Sequence, residues 1–244
     1  MEKKRLTAVK TRIKAITTGK YVVREGFEPN YVLTAAGEQL SRVRVLATVV
    51  DKFVSETGKF ASLTLDDGTE TIRAKVFNAV SMFDSVAVGD IVDAIGRVRE
   101  YQGEIYLMPE VVAKAETPNY ELLRELELRQ QERELQKKRA LILEYQKQAA
   151  DVDELKKHMF ERFGIAHEEV EAVIQSEEVV EEKTADEKSK ILELIANMDT
   201  GQGCDYTELT QASGLSEDVI DGIINELLSE GICFEPRPGK IKKL

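Results

Sequence analysis

Between residues 43 and 115 the chain divides into five short runs of alternating apolar and polar residues, at 43–53, 59–67, 69–77, 90–100 and 103–115. Successive side chains of a strand point to opposite faces, so each run reads as a half-buried strand. Gly58, Asp67-Gly68 and Gln102-Gly103 supply turns between them. Strands this short, at this spacing, are those of a small barrel. In the third run, TETIRAKVF, Ile72, Ala74 and Val76 fall on one face and Arg73, Lys75 and Phe77 on the other. One face feeds a core. The other offers two cations and a π-face, which phosphates and unpaired bases require.

The gap between the third and fourth runs, residues 78–89, has room for one short helix, and a helix at that place closes the bottom of an OB-fold. The expected fold is therefore an all-β OB-fold barrel over 42–115, followed by an α-helical region and a C-terminal winged-helix domain. Beside the triplet, Arg97 and Arg99 share one face of the fourth run. They read either as phosphate contacts or as solvated arginines answering Asp93 and Glu100. Phe53 and Lys59 flank the first loop, where OB-folds commonly grip a strand, and Phe60 shares its outward face with Ser62 and Thr64 as a further stacking surface.

Residues 1–41 form a basic extension containing Lys3, Lys4, Arg5, Lys10, Arg12, Lys14 and Lys20. Val9, Ile13 and Ile16 are spaced for a helix face, yet the same stretch alternates as a strand would. A basic arm on DNA and a flank packed on the barrel are both open. Residues 19–37, rich in aromatics and turn residues, read as a hairpin or loop. After Thr117-Pro118 the period changes from 2 to 3.6, and a long helix begins whose apolar residues, Tyr120, Leu122, Leu123 and Leu126, cluster at its start. Together with a second helical unit at 152–174 that turns at Gly164, it makes a helical region over 118–174. The acidic run within 175–187 reads as a solvated linker. Residues 188–244 give three helices and two short strands joined by a Pro/Gly turn, the pattern of a winged helix. Its third helix carries Glu217, Asp218, Asp221, Glu226 and Glu230 without a Lys or Arg, which argues for protein docking over DNA. The basic wing, with Arg237, Lys240, Lys242 and Lys243, keeps a nucleic-acid contact open.

Charge follows the same division. The net charge of −11 splits into 17 Lys+Arg against 15 Asp+Glu over residues 1–115, and 17 against 30 over the remainder. The first part tolerates phosphate and the second repels it. No apolar run approaches the ~18 residues of a membrane span and no secretory signal opens the chain, which places it in the cytoplasm. Cys204 and Cys233 lack the spacing of a zinc site and read as buried thiols. His158 and His167 lie among Lys and Glu, and no phosphate-cradling or metalloprotease motif occurs. No enzyme activity, cofactor, metal or small-molecule substrate is expected.

The stretches EGFEPNYVLT, SRVRVLATVVDKF, SLTLDDGTETIRAKVFN, GDIVDAIGRVREYQGEIYLMPE and EPRPGKIKKL, in this order, resemble the middle subunit of replication protein A, most closely its archaeal forms. The resemblance implies a single-stranded DNA-binding subunit acting in replication, repair and recombination. In that family two aromatics stack on bases, one ending the third strand and one between the last two strands. They fall here on Phe77 and Tyr101. The resemblance also implies that the helix at 120–128 bundles with other subunits and that the winged helix recruits replication or repair proteins. The helices between 130 and 187 depart from the flexible linker of eukaryotic members. Two other readings remain: an assembly subunit that binds DNA weakly, and an RNA-binding or anticodon-binding OB module.

Overall fold

The computed structural model describes residues 6–24, 26, 28–199 and 201–244, apart from the side chains of 181–183 and 218. Lys3, Lys4 and Arg5 of the basic extension, Phe27, and the Asp218 side chain thus lie outside the described residues. The chain forms two compact units, Met1–Glu177 and Glu178–Leu244.

The first unit opens with β1 (Val9–Lys10), α1 (Ile13–Thr17), β2 (Lys20–Val22), β3 (Tyr31–Leu33) and β4 (Gln39–Leu40), and continues into β5 (Arg42–Val54), β6 (Phe60–Asp66), β7 (Thr71–Phe77), β8 (Ile91–Tyr101) and β9 (Glu104–Lys114). β5 to β9 close a barrel in the order β5-β6-β7-β9-β8, with β8 pairing back onto β5; β7 and β9 run parallel and the other barrel pairs antiparallel. Closure leaves none of these five strands with a free edge. The inward residues are those the alternation selects: Val43, Val45, Ala47 and Val49 on β5, Ile72, Ala74 and Val76 on β7, all in one buried cluster. At Gly96, where the β8–β9 register shifts, a Cβ would stand 2.5 Å from the Met108 carbonyl oxygen and 2.8 Å from Pro109 Cα, so only glycine lets β9 cross.

Between β7 and β8 stands a single 3-10 turn, Val80–Phe83, rather than a full α-helix. Phe83 fills the barrel bottom with no exposed surface, and the Lys52 ammonium donates to the carbonyls of Phe83 and Val86 at 2.6 and 2.7 Å. One aromatic plug does the work expected of a helix.

The N-terminal segment is both strand and helix. β1 pairs in parallel with β5, and α1 buries Ile13 and Ile16 completely in the barrel cluster. β2, β3 and β4 form a small antiparallel sheet beside it. The long α2 (Asn119–Gln146) lies over this region. Lys10 meets Glu127 at 2.5 Å, and Arg12 meets Glu125 at 2.9 Å and Glu132 at 2.7 Å. The two described cations at the centre of the basic arm are thus held by acids of α2.

Arg124, Leu128, Gln131, Leu135 and Ile142 are spaced at three, four and seven along α2 and share its inner face; Arg124, Leu128 and Ile142 are buried there. Leu122 and Leu126 fall on the opposite side, and with Tyr120 and Leu123 they are exposed. α3 (Val152–Phe163) starts on Asp151, whose carboxylate accepts from the Glu154 amide, and ends on Gly164 in the left-handed conformation. It packs Leu155 and Met159 with Ile142, Ile165, Val170 and Val173. The expected linker 175–187 is helical instead, inside α4 (His167–Met198). Its Glu, Lys and Ala residues are good helix formers and no Gly or Pro interrupts them, so propensity prevails over the charge run.

The second unit adds β10 (Cys204–Asp205), α5 (Tyr206–Ser213), α6 (Glu217–Ser229), β11 (Cys233–Arg237) and β12 (Lys240–Lys243) to the last turns of α4, with sheet order β10-β12-β11. Ile191, Leu209, Ile220, Leu227 and Ile241 form its core together with Cys204 and Cys233. Both cysteines are free and buried, and burial pushes both thiols above their ordinary pKa.

Candidate nucleic-acid interface

The outward face of β5, β6 and β7 is a grid fixed by register. Phe60 stands opposite Phe77, Ser62 opposite both Phe53 and Lys75, and Thr64 opposite both Asp51 and Arg73. Directly opposed residues share a face, so all of these look out of the barrel. The register shift between Val49 and Asp51 turns the end of β5 so that Asp51 and Phe53 face outward while Val49 stays buried. Three phenylalanines therefore meet across three strands. Phe60 lies 5.3 Å from Phe77 and 6.1 Å from Phe53 between ring centroids, both tilted. Phe77 is 56 % exposed. The ladder borders an open groove of about 760 Å³ lined by Thr17, Asp51, Phe53, Phe60, Arg73 and Glu104 among others.

The cations of β7, Arg73 in the groove lining and Lys75 beside it, are already engaged. Arg73 Nε and Lys75 Nζ each meet one oxygen of Glu104 at 2.7 Å. The Lys75 ammonium also sits 4.7 Å above the Tyr106 ring, and its side chain is only 13 % exposed. Partial burial would raise the Glu104 pKa, but the bonds from Lys75 and Arg73 outweigh it and hold the carboxyl below its usual range. A second such bridge lies on the same strand. Glu110 accepts from Arg42 and Arg97, each at 2.9 Å, and these pairs likewise lower its pKa against the opposing effect of burial. Arg97 is thereby tied at the β5–β8–β9 seam and answers Glu110, not Asp93; Asp93 is taken by Arg44 and Arg124. Arg99 stands opposite Tyr106, beside the Lys75 site. Lys59 is exposed at the mouth of the first loop.

Tyr101 ends β8, and Gln102 and Gly103, at φ 53° and 80°, make a two-residue hairpin turn with both residues left-handed. Tyr101 pairs with Glu104 and so shares its face; it is 65 % exposed, and among the described residues its ring touches none of the three phenylalanines. The structure thus brings Phe53, Phe60, Phe77, Arg73 and Lys75 together, sets Tyr101 and Arg99 at the edge, and puts Arg97 outside the groove. Sequence reasoning missed Glu104 and Asp51. Both are ordinary acids in the sequence, and only the register shift and the parallel β7–β9 pairing put them in the groove.

Among the described residues no group of three or more His, Cys, Asp or Glu could hold a metal ion, and no helix is long and apolar enough to cross a membrane.

Residues 43–118 match the tRNA anti-codon family, an OB-fold nucleic acid binding domain. The grid is therefore the outward face of a nucleic-acid-binding OB-fold. The chain belongs to the same family as the uncharacterized protein MJ1654 of Methanocaldococcus jannaschii, with which it shares 30% identity over 214 residues, 87% of this chain and 79% of that one. Solved structures similar to it include a replication protein A heterotrimer bound to ssDNA (14% identity, TM-score 0.45, 53% of this chain and 98% of that one). Two others are the S. pombe Stn1-Ten1 complex (18%, 0.38, 42% and 78%) and the second OB-fold domain of replication protein A from Methanococcus maripaludis (27%, 0.26, 32% and 86%).

Proposed function

We propose that this protein is a single-stranded DNA-binding subunit of a replication protein A-like assembly, acting in replication, repair and recombination without a catalytic step of its own. The observation that carries this reading is the Phe53–Phe60–Phe77 ladder beside an open groove. Stacking on aromatic rings is sequence-tolerant because every base has a π-face, and it is unavailable to a duplex whose bases are already stacked. Arg73 and Arg99 supply cations beside the ladder for the backbone.

The exposed Tyr120, Leu122, Leu123 and Leu126 at the start of α2 favour a role in assembly with other subunits, since a patch of large apolar side chains on an otherwise polar helix calls for a partner. We read the second unit as a winged helix whose acidic α6, with Glu217, Asp221 and Glu226 and with Glu230 at its C-terminal cap, recruits partner proteins.

The test is fluorescence anisotropy of the full chain with oligo(dT), oligo(rU) and a duplex of equal length at two salt concentrations. Preference for oligo(dT) with a negative salt slope supports the reading. Equal or stronger binding of the duplex, or of RNA, overturns it. Binding of DNA only in the presence of a co-purified partner favours the assembly role.

A further inference from the structure

We infer that Glu104 is an internal stand-in for a backbone phosphate, occupying the two cations of β7 at the groove until a strand displaces it. The inference rests on the single-strand reading above and adds to it the element that sets affinity. Both oxygens of one carboxylate are used, Oε1 by Arg73 Nε and Oε2 by Lys75 Nζ, each at 2.7 Å. A phosphodiester likewise offers two charged oxygens and one negative charge, so it can take the same two donors one for one. The pair it would take is the one beside the ladder: Arg73, Lys75 and Phe77 alternate along β7, and Phe77 faces Phe60.

The other barrel cations are committed elsewhere. Arg42 and Arg97 hold Glu110, Arg44 holds Asp93, Lys114 holds Asp90, and Lys52 caps two carbonyls. Among the described residues, only Lys59 and Arg99 of the barrel cations lack such a partner. Glu104 takes only Nε of Arg73, whose other nitrogens stay open on a side chain 56 % exposed, so an incoming phosphate reaches Lys75, and both cations together, only by replacing Glu104, and what it gains there is the difference between two similar ion pairs. Removing the carboxylate converts that exchange into a direct gain.

The test titrates oligo(dT) into the full chain and into the E104Q, E104A and E70Q variants at low and high salt. Glu70 precedes β7 and, among the described residues, bonds only the adjacent Thr71 amide, so E70Q changes the net charge equally without releasing a described cation. The expected result is that E104Q and E104A bind about 5- to 20-fold more tightly at low salt, E70Q changes by less than about twofold, and the salt slope of E104Q stays close to the parent's, because the same phosphate is neutralised in both once Glu104 has been displaced. Unchanged or weaker binding by both Glu104 variants, with unaltered thermal midpoints, overturns the inference and makes Glu104 a positioning residue for the two cations. Equal tightening by E70Q also overturns it, leaving bulk charge as the cause. If neither the parent chain nor E104Q binds oligo(dT), the single-strand reading itself fails, and that outcome is distinct from the other two.

Discussion

Arg124 on α2 reaches the Asp93 carboxylate on β8 across 3.3 Å, with Arg124 only 9 % and Asp93 16 % exposed. Arg44 takes the same carboxylate at 2.6 Å, and Arg124 also donates to the Arg44 carbonyl at 3.3 Å. This cluster joins the long helix to the barrel wall. A shared carboxylate makes its two sides unequal. Asp93→Ala leaves Arg44 without its anion and the buried Arg124 with only Glu127, at 3.4 Å, and is expected to cost about 2–4 kcal/mol. Arg124→Ala leaves Asp93 with Arg44 and is expected to cost about 1–2 kcal/mol. Urea unfolding of both variants checks the order.

Two carboxylates near the same helix respond to pH in opposite directions. Glu38 is raised, chiefly by burial and further by Glu132, against the lowering effects of its bond from Gln131 and of Lys138. The unfolded chain releases that proton first, so Glu38 weakens the fold increasingly as pH rises through its unfolded and then its folded value. Glu125 is held down to about 2 by Arg12 and Arg129, and its contribution is present above the ordinary Glu pKa and is lost as pH falls toward 2. Glu38→Gln is expected to raise the unfolding midpoint at pH 7 and to converge on the parent near pH 4. Glu125→Gln is expected to lower it at pH 7, with the difference closing only as the pH falls from about 4 toward 2. Thermal melts from pH 2 to 8 distinguish the two.

The barrel was legible because period-2 alternation and glycine turns are local properties, and Ile72, Ala74 and Val76 are buried as alternation requires. The aromatic residues of the site could be named from sequence one at a time. Their contact could not, since Phe53, Phe60 and Phe77 meet only through the register of three strands. Glu104 was invisible for a similar reason: it meets Lys75 from 29 residues away. The basic arm stayed open between a DNA contact and a flank packed on the barrel for the same reason, because the acids that neutralise its Arg12, Glu125 and Glu132, stand 113 and 120 residues away. Residues 175–187 show the converse error, where a local charge run outweighed an equally local helix propensity.

Phe60 is the centre of the ladder, touching both other rings, whereas among the described rings Phe53 and Phe77 each meet only Phe60. Each stacked base is worth roughly 1–3 kcal/mol. Phe60→Ala is therefore expected to weaken oligo(dT) binding about 10- to 100-fold, more than Phe53→Ala or Phe77→Ala alone at about 3- to 10-fold. Phe77→Ala with Tyr101→Ala, which removes one ring inside the ladder and one at its edge, is expected to cost about tenfold or more. An equal effect of all three phenylalanines in an anisotropy titration would count against a connected stacking surface.

Leu122 and Leu126 lie one turn apart on the face of α2 opposite Arg124 and Leu128, exposed where their helix needs no apolar cover for its own docking. If they hold a partner subunit, replacing both by Glu removes the contact while the inner face, and so the barrel's attachment, is untouched. The double variant is expected to keep the parent's unfolding free energy within about 0.5 kcal/mol and its affinity for oligo(dT), since the groove lies on β5 to β7. Association with partner subunits, read by multi-angle light scattering after co-expression, is expected to be lost. A variant that unfolds more readily would instead assign these leucines to the chain's own packing, and retained association would move the assembly surface elsewhere. Only the combination of intact folding, intact DNA binding and lost association is specific to a subunit contact at the start of α2.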